Sequence, residues 1–359
     1  MFEKVSELIE KTPLEPGVAA LISSPVNRRY LSGFKSSDGW IFLTSEESYF
    51  FVDFRYYEAA KKQVKDLTVV LMSDFKQSLL EFAHKHRIKS VLVENDSLTL
   101  SEALKIEKWL KEDHIALNKQ NALQEAIYSL RSIKNPIEVK NIKIAQEIAE
   151  NAFRQLLPFV RPGVSEKKLA FELEFLLRRE GAEAIAFDLI VASGKNSAIP
   201  HAEPSDKLVE EGDFVTVDMG AVYNGYHSDM TRTVAVGAIS DEKRRIYNVV
   251  LEAQKMVIDA VRAGAFCREI DAIARKFIAE NGFEGCFGHA LGHGVGLEIH
   301  EKPFLSKRSE DVLQPGMIIT VEPGVYLKNT FGVRIEDMLL VKSEGCENLT
   351  AVEKELIIL

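Results

Sequence analysis

The sequence predicts an α+β protein of two domains. A smaller α/β domain comes first, and a larger one follows with outer helices around a sheet made of two halves related by a pseudo-twofold axis. Three observations carry this expectation. The chain has 359 residues, 46% of them hydrophobic, which is enough material for two cores. Its first third alternates strand-like and helix-like segments, and its remainder repeats itself.

In chain order, residues 18–23, 40–44, 48–52 and 90–94 read as extended, and 74–87 and 99–111 read as helical. The aromatic run Tyr49-Phe50-Phe51 belongs to a core. A boundary falls in 121–135, dividing the chain into domains 1–123 and 124–359. There Asn135-Pro136-Ile137-Glu138 offers a helix N-cap, a proline at the first helical position and a reciprocal glutamate. The helix that follows carries Val139, Ile142, Ala145, Ala149, Phe153 and Leu156 at three- and four-residue intervals, a single buried stripe.

The repeat then sets the architecture. Arg161-Pro162-Gly163 corresponds to Arg262-Ala263-Gly264, and Glu180-Gly181 to Asn281-Gly282 at the same offset. After a short slip, residues 212–220 match 316–324, ending in Asp218-Met219-Gly220 and Glu322-Pro323-Gly324. Two helices followed by a hairpin, present twice, bring acidic residues together near the axis.

Bulk properties exclude several functions. A formal net charge of −9 without clustered Lys and Arg argues against a nucleic-acid surface. No stretch approaches the roughly 20 apolar residues of a membrane span. The first eight residues alternate charged and apolar side chains, unlike a signal peptide. The three cysteines are scattered and lack metal-binding spacing, which fits free thiols in the cytoplasm.

The candidate site comes from two hairpins and a glycine-rich segment. Asn224-Gly225 is a two-residue turn between strands 214–223 and 226–236. That register sets Asp229 opposite Gly220 and diagonal to Asp218, close enough for both carboxylates to share ions unless a bulge intervenes. In the second hairpin, with a loop at 328–332, Glu322 and Glu336 are equidistant from Asn329 and face each other. Two facing carboxylates call for a cation, whereas a solvated acidic face would not carry Ile318, Ile319, Val321, Val325, Ile335 and Leu339 around it. Residues 288–300 hold three of the eight histidines, His289, His293 and His300; Gly292, Gly294 and Gly296 favour an extended backbone over a helical zinc site. Four carboxylates with an imidazole suit paired Mn, Co, Zn or Fe ions.

These residues resemble the creatinase-like, or pita-bread, metallopeptidases, in particular their aminopeptidase P and prolidase branch. In the first domain the resemblance rests on Asn27 to Phe34 and on Asp53-Phe54-Arg55-Tyr56. In the second it rests on Pro200-His201, Val217-Asp218-Met219-Gly220, Ser228-Asp229-Met230-Thr231-Arg232, Gly292-His293-Gly294-Val295-Gly296, Val321-Glu322-Pro323-Gly324 and Val333-Arg334-Ile335-Glu336-Asp337, in order. It implies a pita-bread catalytic domain after a creatinase-type N-terminal domain. It also implies two divalent ions per subunit, with Mn favoured. Asp218 would hold one ion, His293 and Glu322 the other, and Asp229 and Glu336 both. A bridging hydroxide would attack the bond before proline at the N-terminus of short peptides, with Glu322 as proton acceptor. By the same resemblance His201 and His300 orient substrate and stabilise the oxyanion, and His289 and Arg334 shape the proline pocket and an ion-pair network. The partners implied are peptides with proline second and a second copy in a homodimer. Methionine aminopeptidases share the five ligands but generally lack such a first domain. Inactive binding relatives and creatine amidinohydrolases would be expected to lack ligands that are present here.

Overall fold

The computed structural model describes residues 2–359, with side chains from Lys4 onward. It divides into two compact units, one ending at Arg131 and the other beginning at Ser132. Helix Ala122–Ser132 lies in the first unit up to Arg131, which donates to the buried Asn27 Oδ1 at 2.7 Å; the sequence places the boundary at 123/124.

The first unit is built on a six-stranded sheet in the order Thr68–Leu71, Ser48–Val52, Trp40–Leu43, Val18–Ile22, Ser90–Val93, Ala116–Asn118. The four inner strands are those the sequence predicts. The two edge strands escaped it because they are short and only partly buried, so they carry little apolar alternation. The predicted helices start where their caps place them: Asp74 accepts from Gln77 N–H, and Thr99 forms a capping box with Glu102. Phe50 and Phe51 are buried, and Tyr49 packs edge-on against Phe82.

The second unit opens with helix Pro136–Leu156, whose capping box is complete: Asn135 Oδ1 accepts from the N–H groups of Ile137 and Glu138, and Glu138 accepts from Asn135 N–H. Its stripe is buried from Ile142 to Leu156, with Val139 half-buried. The repeat is realised in the fold. Helices Pro136–Leu156 and Glu166–Arg179 pack together, as do Asp241–Ala260 and Cys267–Ile278. Strands Ile190–Ser193, Phe214–Met219 and Met230–Ala235 form one antiparallel sheet. Gly292–Gly294, Ile318–Val321 and Asp337–Val341 form its counterpart in the same order, extended by Glu301–Leu305 and Cys346–Asn348. Gly163 N–H donates to Val209 O at 2.9 Å and Gly264 N–H to Leu313 O at 2.8 Å, at φ of 85° and 84°. Both glycines therefore occupy the left-handed region in equivalent turns.

Both hairpins differ from the continuous ladders expected. The first breaks after Met219 and before Met230, and the short strands Ala221–Tyr223 and Tyr226–His227 join Ala184–Ile185 in a separate sheet. Register is nevertheless the same on either side of the break, Val222 facing His227 and Met219 facing Met230. Asp229 therefore stays opposite Gly220 and diagonal to Asp218. The second hairpin behaves alike, with Gly324 facing Arg334 and Val321 facing Asp337, so Glu322 and Glu336 are cross-strand neighbours. Its loop is shorter than 328–332: Phe331 and Gly332 are already in the strand, because Asn329 at φ 61° closes a tighter turn. Among the described residues, no helix is long and apolar enough to cross a membrane.

Candidate active site

Asp229, Glu322 and Glu336 occupy the breaks in these ladders, and Asp218 is one residue from the other break. Leaving the ladder frees their backbone groups for new partners: Glu322 N–H donates to Leu291 O at 2.9 Å and Glu336 N–H to Thr231 O at 3.1 Å. The second of these bonds sews one half to the other. His293 is the middle residue of Gly292–Gly294. A Cβ on Gly292 would lie 2.0 Å from Thr320 O and one on Gly294 2.3 Å from Lys302 O, so only glycine lets this strand approach its neighbours.

Asp218, Asp229, His293, Glu322 and Glu336 all line one cavity. His293 Nε2 lies 3.5 Å from Asp229 Oδ2 and 3.6 Å from Glu322 Oε1. Ligand atoms of Asp229, His293 and Glu336 all lie within 4.8 Å of one another. His293 Nδ1 faces Gly294 O at 3.1 Å, an arrangement that fixes the ring and aims Nε2 at the acids.

Burial and mutual repulsion push these carboxyl groups upward. Burial, then Asp218 and Glu322, hold Asp229 well above the usual carboxylate range. Glu336 is raised by burial and then by Asp229, and Glu322 is pushed up to about 8, burial first. Asp218 Oδ1 and Glu336 Oε1 are buried with no hydrogen-bond donor. Clustered, buried acids short of donors require either protons or cations. A divalent metal therefore fits the residues, and a solvated acidic face does not.

A surrounding layer positions the acids. Thr231 Oγ1 donates to Glu336 Oε2 at 2.6 Å and Thr320 Oγ1 to Glu322 Oε1 at 3.3 Å. Arg334 does not pair directly with Glu336, as sharing its face would suggest. Its Nη2 donates to Asp218 Oδ2 at 2.6 Å, and it reaches Glu336 only through Thr231, to which Nε donates at 3.1 Å. Its Nη1 donates to Tyr326 OH at 2.9 Å and Pro200 O at 3.1 Å, and Tyr326 OH lies 2.9 Å from His289 Nε2.

His201, His289 and His300 line the same cavity, of about 560 Å³, together with apolar Phe187, Ile299 and Phe304. This volume is in the range of small-ligand sites. His300 packs edge-on to His293, ring centroids 4.4 Å apart. Burial, followed by Arg334, lowers His289 to about 4; burial, followed by His300, does the same to His293, and both rings are neutral near pH 7.

Sequence reading missed Glu166, Thr231, Thr320 and Tyr326. Glu166 is fully buried and accepts from Ser193, Asn196 and Ser205, closing both ends of the loop that carries His201. In sequence it looked like an ordinary first-turn acid behind the Ser165 cap. Tyr326 and the threonines carry no periodic signal; in sequence Thr231 stands two residues after Asp229 and Thr320 two before Glu322.

Residues 140–343 match the metallopeptidase family M24, and residues 17–133 match the creatinase/prolidase N-terminal domain. The chain belongs to metallopeptidase family M24. It is 40% identical to a Xaa-Pro dipeptidase of Pyrococcus horikoshii, over 99% of each chain, and 42% identical to an uncharacterized peptidase of Bacillus subtilis, over 94% of this chain and 95% of the relative. Its structure resembles a Xaa-Pro dipeptidase from Bacillus anthracis with TM-score 0.94 at 43% identity, covering 99% of each chain. It also resembles an X-Pro aminopeptidase from Thermotoga maritima with TM-score 0.90 at 36% identity, covering 99% of this chain and 100% of the other. As an M24 chain it is a hydrolase with the pita-bread catalytic fold after a creatinase-type domain, and its family implies divalent metal ions.

Proposed function

We propose that this chain hydrolyses the peptide bond before proline at the N-terminus of short peptides, using two divalent ions, manganese foremost. The observation that carries this reading is the convergence of four carboxylates and one imidazole, two of the buried oxygens lacking any donor, at the floor of a cavity. The names of its relatives support the preference for proline. Asp218 would hold one ion, His293 and Glu322 the other, with Asp229 and Glu336 shared between them. When bound, the ions supply Lewis acidity, acidifying a water and polarising the scissile carbonyl.

The chain's own groups do the rest. Glu322 takes the proton of the attacking water and passes it to the departing prolyl nitrogen. His201 and His300 present ring N–H groups to the carbonyl oxygen as it gains charge. His289, neutral and hydrogen-bonded to Tyr326, forms the wall against which the proline ring packs. Arg334 holds Asp218 in place, its Nη2 2.6 Å from Asp218 Oδ2.

The test is cleavage of Ala-Pro-Ala against Ala-Ala-Ala by the manganese-loaded protein. Release of alanine from the first alone is expected. Equal release from both would point to a general aminopeptidase and reject the proline requirement. Three free cysteines fit a cytoplasmic site. A homodimer completes the proposal, and a monomer mass in light scattering would remove that part.

A further inference from the structure

The relatives include both dipeptidases and aminopeptidases, so their names leave open whether proline is the last residue of the substrate or one followed by more chain. The two cases differ in one group. When proline is last, its carbon next to the ring bears a carboxylate; when the chain continues, it bears a neutral amide. A cavity that accepts the first must supply positive charge about one residue, roughly 3.5 Å, beyond the scissile bond.

This cavity supplies no permanent cation. Among the described residues lining it, the ionisable side chains are carboxylates and histidines, with no lysine or arginine. Arg334 is buried behind Asp218, and its Nε, Nη1 and Nη2 are engaged by Thr231, Tyr326, Pro200 and Asp218. Two divalent ions would not serve instead, because the charges of Asp218, Asp229, Glu322 and Glu336 balance theirs. At the exposed rim stand Asp188 and Glu203, which repel an anion, and Phe304, 42% exposed, which offers an apolar surface. A carboxylate placed there would lose water and gain no permanent cation, whereas an amide passes the rim with its chain continuing outward.

Resting on the Xaa-Pro reading above, we infer that the preferred substrates are peptides that continue beyond proline, and that free Xaa-Pro dipeptides are disfavoured by the uncompensated carboxylate at an acidic rim.

The experiment compares kcat/KM of the manganese-loaded full-length enzyme on Ala-Pro, Ala-Pro amide and Ala-Pro-Ala. The amide removes the charge without adding a residue, so it separates charge from length. The amide and the tripeptide are both expected to exceed Ala-Pro by about tenfold or more, the worth of one charged contact. The D188N/E203Q double variant is expected to narrow the gap between Ala-Pro and its amide about threefold, as relief of surface repulsion would. A gap below tenfold, a gap in favour of the dipeptide, or a gap that the double variant leaves unchanged would overturn the inference while leaving the proline peptidase intact. Failure to cleave all three would bring down the Xaa-Pro reading, and this inference with it.

Discussion

In the first half of the catalytic unit, Asp218 faces Thr231 across the strand pair, and Asp229 is the diagonal neighbour. In the second half, Glu322 faces Glu336, and the equivalent diagonal place is held by Arg334. A third pair of positions differs as well. Ala192, opposite Thr216, has the register position that His293 holds beside Thr320. Equivalent backbone thus carries unequal chemistry: two acids in one half, and two acids, an imidazole and a guanidinium in the other. A symmetric pair of halves would gather either acids without a fixed cation or acids each neutralised by one. The observed division gives Asp218 a fixed cation, leaves Asp229 and Glu336 crowded by like charge, and adds one neutral nitrogen donor.

The comparison can be broken first at Asp229 and Glu336. Asp229→Ala or Glu336→Ala is expected to lower kcat/KM by about a thousandfold or more and to reduce bound metal, read by steady-state kinetics and elemental analysis. Near-normal activity in either variant would contradict the ligand assignment. Removing the cation is expected to act on stability. Arg334→Met leaves Asp218 buried beside other acids, which costs about 3–5 kcal/mol in denaturant unfolding of the metal-free protein. A loss below 1 kcal/mol would show that the guanidinium does not hold the acid.

The crowded acids also give a pH signature with a definite sign. Glu322 moves from an ordinary 4.5 to about 8 on folding, burial first, and burial moves Asp229 and Glu336 the same way. Between those values the folded protein holds a proton that the unfolded chain has released. Metal-free stability should therefore fall as pH rises from about 4.5 through about 8. Metal binding, which needs the ionised acids, should reverse the trend. Melting temperatures with and without chelator over that range check this, and a metal-free curve that rises with pH would refute it.

Smaller effects sharpen the picture. Glu166→Gln loosens the loop bearing His201, and kcat should fall about tenfold with metal content unchanged. Thr231→Val, at the position matching Glu336, should cost only a few-fold in kcat, the worth of one hydrogen bond to Glu336. A Thr231→Val loss as complete as that of Glu336→Ala would mean the two positions are not unequal after all.

Much of this was legible in the sequence, for reasons that differ by element. The carboxylates were found because a hairpin's two-residue period survives the ladder breaks at Gly220 and Pro323; the backbone leaves the sheet on both strands together and register is kept. The repeat was visible because turns such as those at Gly163 and Gly264 need the left-handed region twice over. The pairing of Arg334 with Asp218 was hidden, since it crosses between the halves, and no local pattern encodes a contact across 116 residues. Glu166 was hidden because its partners, Ser193, Asn196 and Ser205, lie beyond its own helix.

The central claim is that five side chains from two unequal halves gather a pair of ions. Anomalous diffraction from crystals grown with manganese tests it most directly. Two peaks among Asp218, Asp229, His293, Glu322 and Glu336 are the predicted result. A single peak, or none, with the protein fully active would contradict it.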